Sequence, residues 1–500
     1  MIIFRRIICL LLAMLDIYLY PNTNKHFFIN KANIELHVNA CEEYQEITGF
    51  GASACWWSQN CGNSEYADEV AQKLYSKDGL ALNVYRYNIG AGEKDNPNSR
   101  IGRWRATESF YYLNEETGEY EYDFSRDAAA QNMLDKCLAL GCIDTVVLFA
   151  NSPHFSMTVS GQASGGLEDY VSNLPPENYE AYADYFLTIT RYFLDKGVPV
   201  KYISPVNEPQ WSWGGGWVSQ EGCHYEKDEL IELYRVFARK IKASGLDVKL
   251  SGPESGQLGW LNDEYFADMY KDPEIREVLG NFSYHSYWID GNLKIKSDFG
   301  DLVTREYSDM EIIMSEWCEL PCTHAIDDFE GAMIMAKTIY SDIVESNANS
   351  WSAWVGVNDY GINAEGKKIS DGLLVANQSF TELSTAMRYY ALKHYSRFIP
   401  DGSVRIGVSN AIKDGYGNWD AGTYQQYLYY SAYKTPEGKY VIVAINEGED
   451  RKLSINIPHV VTKMKVVTST AEEQFKTVVD GCIKRYIDMP QNSIITVVLD

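Results

Sequence analysis

Eight short runs of β-branched and aromatic residues recur along this chain, each followed by Gly, Pro or polar residues and then by an amphipathic stretch. They are Glu46 to Ser53, Leu82 to Gly90, Asp144 to Asn151, Val200 to Asn207, Val248 to Pro253, Asn281 to Tyr287, Glu311 to Glu316 and Ser350 to Val357. Helix-like segments lie between them, among them Glu65 to Ser76, Ala128 to Leu140, Asn178 to Lys196, Lys227 to Ser244 and Asp327 to Asn347. Strand then helix, eight times over, is the grammar of an α/β fold of the (β/α)8 TIM-barrel type, whose catalytic groups sit where strands end. Such a barrel takes ~250 or more residues as one domain, so 500 residues leave room for one smaller unit. A composition of 45% hydrophobic and 23% charged residues fits a large buried core and excludes disordered and fibrous classes.

After about Leu392 the texture changes to strands in succession: Val404 to Val408, Gln426 to Tyr433, Lys439 to Asn446, Lys452 to Ile457, Lys463 to Ser469 and Ser493 to Leu499. Turn signals such as Pro436-Glu437-Gly438 and Glu447-Gly448-Glu449-Asp450 separate them, which reads as a small antiparallel β-sandwich. The alternating stretch Asn33 to Val38 supplies a further strand, so both chain ends meet in the accessory domain. The expected division is a leader over residues 1–20, a catalytic barrel over 46–390, and a side sandwich from 30–45 plus 391–500. No internal repeat or low-complexity linker interrupts it, so the domains should pack directly.

Forty-four Lys and Arg against 69 Asp and Glu give a net charge of −25, a field that repels phosphate backbones and anionic lipid surfaces. Nucleic acid is therefore not an expected partner. The aromatic share of 13% suits a surface that stacks on sugars, and suits a core equally well. Arg5 and Arg6 followed by the apolar run Ile7 to Leu15 have the charge and length of a secretory signal, although Asp16 and the lack of a small-x-small cleavage site count against it. A secreted or cell-surface location is expected, and no later run approaches the ~20 apolar residues of a membrane span. Ten Cys without Cys-x-x-Cys pairs are too sparse for a disulfide scaffold; Cys55 with Cys61, and Cys318 with Cys322, are close enough to bridge, which the sequence leaves open. A monomer is expected.

Two strands end in a carboxylate. Tyr202-Ile203-Ser204-Pro205-Val206-Asn207-Glu208-Pro209 lifts Glu208 onto the barrel rim, with Pro209 ending the pairing, and Ile312-Ile313-Met314-Ser315-Glu316-Trp317 delivers Glu316 to the same rim. By strand count these are the fourth and seventh. A single strand-end Glu can be a rim salt bridge, but two facing one cavity are what glycoside hydrolysis needs: an acid for the leaving oxygen and an ionised partner for the anomeric carbon.

Asn207-Glu208-Pro209, Glu316 in Met314-Ser315-Glu316-Trp317, and the opening Ile47-Thr48-Gly49-Phe50-Gly51-Ala52-Ser53 together resemble glycoside hydrolase family 30, a retaining barrel with a side sandwich made from both termini. The resemblance runs from about Glu35 to the C-terminus. It implies that Glu208 is the general acid/base and Glu316 the nucleophile, with Asn207 on the sugar 2-hydroxyl. Arg86, in Tyr85-Arg86-Tyr87-Asn88, matches the arginine that keeps the nucleophile ionised, or else pairs with some other buried acid. His285 and Tyr287 match strand-six residues, with the tyrosine on Glu316; a satisfied core histidine is the other reading of His285. Trp354 matches the tryptophan that floors the subsite of the cleaved sugar, against a role as barrel filler.

Specificity is less sharply written. Glucosylceramidase-like and glucuronoxylanase-like relatives carry a tryptophan before and after the Ser-Pro motif that follows strand three, and Phe149-Ala150-Asn151-Ser152-Pro153-His154-Phe155 lacks both. Met157-Thr158-Val159-Ser160-Gly161 and Gln220-Glu221-Gly222-Cys223 resemble the endo-β-1,6-galactanase branch instead. Glu93 is a candidate acceptor for a sugar hydroxyl or an exposed loop residue, and Trp56, Trp57, Trp211, Trp213 and Trp217 are candidates for the cleft. The leading expectation is a retaining hydrolase of β-linked galactan. The alternatives are a β-1,6-glucanase, xylanase or glucosylceramidase-like enzyme of the same fold, or a non-catalytic barrel that binds polysaccharide. No metal or cofactor is expected: His-Glu-x-x-His and Gly-Lys-Ser/Thr loops are absent, Asp414 to Asp420 departs from a calcium loop, and Gly214 to Gly216 reads as a cleft loop.

Overall fold

The computed structural model describes residues 33–215, 218–259, 262–410, 419–420, 423–424 and 427–500. Eight strands close into a barrel in chain order: Gly49–Ser53, Val84–Asn88, Thr145–Phe149, Val200–Ser204, Lys249–Ser255, Leu279–His285, Glu311–Trp317 and Ser350–Ala353. Each neighbouring pair is parallel, including the last with the first. All residues of Val84–Asn88 and Thr145–Phe149 are buried, as expected of strands covered on both faces, and this explains why they read as continuous runs rather than alternations. The fourth strand stops at Ser204, earlier than Asn207, because Pro205 has no N–H to continue the ladder.

The helix Lys227–Ser244 shows how local signals set the connections. The Glu229 carboxylate accepts the Glu226 N–H at 2.9 Å at its start, and Gly245 ends it in the left-handed region at φ 67°. Among the elements that escaped the hydrophobic pattern are the helices Asn262–Lys271, Leu293–Glu306 and Met387–Ser396, and a hairpin Tyr111–Asn114 with Glu119–Tyr122 after the second barrel strand. Met387–Ser396 is nearly patternless because seven of its ten residues are buried between barrel and sandwich.

The sandwich is one nine-stranded ladder with residues from both its ends in one core, including Met464, Val466, Leu453, Ile487 and Met489. The strand Asn33–Ile47 runs beyond the expected stretch and lies between Ser403–Asn410 and Arg451–Asn456. Its pairing with Arg451–Asn456 is parallel, so the sheet is not wholly antiparallel as expected. The strand Tyr440–Asn446 is buried at every position. Val441, Val443 and Ile445 belong to the barrel's core cluster, whereas Ile442 and Ala444 belong to the sandwich's own core.

All described cysteines are free thiols, so neither spacing that allowed a bridge has one. Among the described residues, no helix is long and apolar enough to cross a membrane. The leader expected over 1–20, Trp217, and most of Asp414 to Asp420 lie outside the described residues.

Candidate active site

Glu208 stands four residues past the end of the fourth strand with its backbone at φ 47°, a left-handed conformation that a side-chain-bearing residue adopts at a cost. Its surroundings hold it there: its N–H donates to the Glu254 carbonyl at 2.9 Å, and its own carbonyl accepts Trp213 Nε1 at 2.8 Å and the Trp211 N–H at 3.2 Å. Glu316 lies inside the seventh strand, in register with His285 of the sixth. The barrel thus delivers the two glutamates from opposite sides of its mouth, and an oxygen of one lies within 4.8 Å of an oxygen of the other.

Between them sits His285, fully buried. Its Nδ1 is 3.0 Å from Glu208 Oε1 and 3.6 Å from Glu316 Oε1, and its Nε2 is 3.2 Å from Glu254 Oε2. Glu316 is gripped twice more: Tyr287 donates its hydroxyl to Oε1 at 2.9 Å and Arg86 Nη1 donates to Oε2 at 3.2 Å. Arg86 also lies 3.6 Å from Glu254 through Nη2 and 4.1 Å above the Phe149 ring. Burial alone would strip charge from this cluster. For His285 the charge of Glu316 and the bonds to Glu208 and Glu254 outweigh burial and raise its pKa to about 10. For Glu254 burial is likewise outweighed, here by Arg86 and His285, and its pKa falls to about 2. Glu316 is lifted above the ordinary carboxylate range by burial, against the pull of His285 and Arg86 and with the push of Glu208.

Asn207 Oδ1, next in sequence to Glu208, is buried without a hydrogen-bond partner among the described residues. Trp354 follows the eighth strand, 8% exposed, and meets Trp56 edge-on at 5.3 Å. Trp211 is half-buried next to Glu208, and its Nε1, Gln210 Nε2 and Glu208 Oε1 crowd the space where a Cβ on Gly256 would lie, which keeps that position a glycine. Two expectations need correction. Trp57 is not in the cleft: it is 0% exposed, opens the helix Trp57–Cys61 and donates Nε1 to the Ser53 carbonyl at 2.9 Å, because that helix turns its first residue into the core. Glu93 is neither an exposed loop residue nor open to a sugar; it is 1% exposed and accepts the Ala163 N–H at 2.5 Å and Asn96 Nδ2 at 3.3 Å, which ties the loops after strands two and three together.

Glu221 works beside it. Fully buried, it accepts Thr107 Oγ1 at 2.5 Å and the Ala91 N–H at 3.1 Å, while the Gly222 N–H donates to the Ala163 carbonyl at 2.9 Å. The Gln220 to Cys223 segment therefore fastens the loop after strand four to those after strands two and three. The residue missed in the sequence is Glu254, although Gly252-Pro253-Glu254-Ser255 obeys the strand-end rule that singled out Glu208 and Glu316. Among the described residues, Glu208, His285 and Glu316 are the one trio whose ligand-type atoms come this close; both nitrogens of His285 face carboxylate oxygens.

A closed parallel barrel with two carboxylates facing each other across its mouth, beside a β-sandwich, defines a barrel-type O-glycosyl hydrolase. Comparison with known proteins agrees. The profile described as O-Glycosyl hydrolase family 30 matches residues 33–287, and that of the Glycosyl hydrolase family 30 beta sandwich domain matches residues 402–497. An endo-β-1,6-galactanase of Hypocrea rufa is 23% identical over 402 residues, 74% of this chain and 76% of its own. An endo-1,6-β-D-glucanase of Trichoderma harzianum is 23% identical over 397 residues, 75% of this chain and 74% of its own. The crystal structure of a conserved exported protein from Bacteroides fragilis superposes with a TM-score of 0.80 at 25% identity, covering 93% of this chain and 99% of that one. The chain belongs to glycoside hydrolase family 30.

Proposed function

We propose that this O-glycosyl hydrolase cleaves β-1,6-linked galactan by double displacement, with Glu316 as nucleophile and Glu208 as general acid/base. The observation that carries the mechanism is the approach of the two carboxylates to within 4.8 Å, oxygen to oxygen. Retaining enzymes hold their carboxyl groups ~5 to 5.5 Å apart so that one can reach the anomeric carbon directly, whereas inverting enzymes leave ~6.5 to 9.5 Å for a water. In the first step Glu316 Oε attacks the anomeric carbon while the C–O bond to the leaving sugar breaks, and Glu208 gives that oxygen its proton. In the second, Glu208 takes a proton from water, whose oxygen attacks the anomeric carbon and releases Glu316. Glu208 Oε1 faces His285, which leaves Oε2 to carry the proton in transit. Asn207 suits the sugar 2-hydroxyl and Trp354 the floor of the subsite.

The choice of galactan rests on the missing tryptophans around Ser152-Pro153 and on the Hypocrea rufa relative. The Trichoderma harzianum relative, equally identical, favours β-1,6-glucan as the second reading. A site built to hydrogen-bond one hydroxyl orientation rejects the epimer strongly because its polar groups are left unpaired. A polysaccharide panel with product sizing tests this: debranched arabinogalactan is expected to release short galactose oligomers, and β-1,6-glucan or glucuronoxylan little. Faster release from either competitor would overturn the galactan assignment. Proton spectra of the first product are expected to show the retained anomer, and an inverted one would overturn double displacement. Export is part of the proposal, supported by the leader's charge pattern and by the exported neighbour.

A further inference from the structure

Barrel interiors are usually filled with bulky branched side chains, and below this mouth Val84, Val147 and Ile313 line a cavity of about 20 Å³ together with polar groups that include Ser315, Arg86 and the carboxylate of Glu254. Glu254, next to last in the fifth strand, has φ 56° and is 1% exposed. Its carbonyl takes the Glu208 N–H, and its own N–H donates to Ser283 Oγ at 3.2 Å. Its carboxylate accepts Ser204 Oγ at 2.9 Å, Ser315 Oγ, and His285 Nε2 at 3.2 Å, with Arg86 3.6 Å away. It lies on the far side of His285 from the catalytic pair, so it touches the machinery without touching the reacting atoms.

The charged and titratable groups facing His285 come from every neighbouring element: Glu208 after strand four, Glu254 on strand five, Tyr287 at a ring distance of 5.7 Å, and Glu316 on strand seven. Arg86 on strand two closes the cluster through Glu254 and Glu316. Arg86 and His285 bring two cationic groups into a buried cluster with the carboxyls of Glu208, Glu254 and Glu316. Removing the Glu254 charge would take away the anion that touches both cations, a loss that burial penalises heavily. The ring can relieve that imbalance by giving up a proton; Arg86 cannot.

We propose that Glu254 is a positioning residue: by holding His285 Nε2 and offsetting its charge, it keeps the ring a donor at both nitrogens, with Nδ1–H placed between the acid and the nucleophile. During double displacement the negative charge moves from Glu316 to Glu208 and back. Nδ1 stands 3.6 Å from one and 3.0 Å from the other, so a single N–H serves whichever carboxylate is ionised. The inference rests on the roles given to Glu208 and Glu316 above, and its test does not depend on the sugar.

Histidine-selective nitrogen-15 spectra of the wild-type protein, with the His285 signals assigned by their loss in His285→Gln, are expected to show both ring nitrogens protonated from pH 5 to 8. In Glu254→Gln, His285 is expected to lose a proton about one pH unit or more lower, and kcat on an aryl β-glycoside to fall about tenfold or more with KM little changed. Glu254→Asp, which keeps the charge, should retain more of kcat than Glu254→Gln. A neutral His285 in the wild type would overturn the proposal without any variant having to fold, as would a Glu254→Gln enzyme whose pH profile matches the wild type. Turnover surviving in Glu316→Gln would instead overturn the roles of the catalytic pair.

Discussion

At Glu316 two hydrogen-bond donors, Tyr287 and Arg86, converge on one carboxylate beside the His285 ring, so replacing it should do more than weaken binding. Glu316→Gln is expected to abolish turnover of every substrate, while Glu208→Ala should keep the first step on substrates with very good leaving groups, because only poor ones need the proton. Equal loss on activated and natural substrates would disprove the acid role. The pH profile carries a sharper sign. As the proposed nucleophile Glu316 has to be ionised to attack, and burial together with the neighbouring Glu208 raises its pKa, so the acid limb of kcat/KM should lie above the ordinary glutamate value of 4.5. Deleting the Glu208 carboxyl removes one of the raising influences; in Glu208→Ala, assayed on an activated aryl glycoside, that limb should move to lower pH. Stability follows the same residues. Glu254, depressed from 4.5 to about 2, contributes stability present above 4.5 and lost as pH falls through about 2. His285, raised from 6.5 to about 10, contributes stability present below 6.5 and lost as pH rises through about 10.

The loops after strands two, three and four hang together on Glu93 and Glu221, two acids with almost no exposure. Burial raises the pKa of Glu221 to about 7 against the bonds from Thr107 and Ala91. For a carboxyl displaced upward, the cost of burying charge begins above 4.5 and is complete above about 7. Glu221→Gln, whose Oε1 can still accept from Ala91 and Thr107, should therefore melt higher than the wild type at pH 8 and gain less at pH 5, as thermal scans at the two values would show. This is also where the sequence was least readable. The barrel was legible because each strand is an apolar run closed by a breaker, and the two facing glutamates because strand-end carboxylates stand out. Loop residues follow no period, so Glu93 looked like a sugar ligand and Trp57 like a cleft wall when both are interior. Glu254 was missed for another reason: its strand was read as stopping at Pro253, two residues before its end at Ser255.

Barrel and sandwich share a wall. Alternate residues of Tyr440–Asn446 pack into different cores, and Ser469 and Thr496 hydrogen-bond the two ring nitrogens of His394 at 2.8 Å, on the last barrel-side helix. The two domains should consequently unfold together in one calorimetric transition. Ile445→Ala, which empties space on the barrel side, is expected to cost about 2 to 5 kcal/mol and to shift that single transition as a whole. Two separate peaks, with only the sandwich peak moved, would show that the shared wall does not couple them.

The strand Asn33–Ile47 has a consequence for how the molecule is made. Both its partners, Ser403–Asn410 and Arg451–Asn456, are synthesised some 400 residues later. At ~5 to 20 residues per second a ribosome needs about 20 to 80 s to reach them. Throughout that interval the nascent polypeptide carries an unpaired β-edge directly ahead of the first barrel strand, so the last stage of assembly waits for nearly complete translation. A chain that finishes so late leaves that early segment open to mispairing until its two partners have been made.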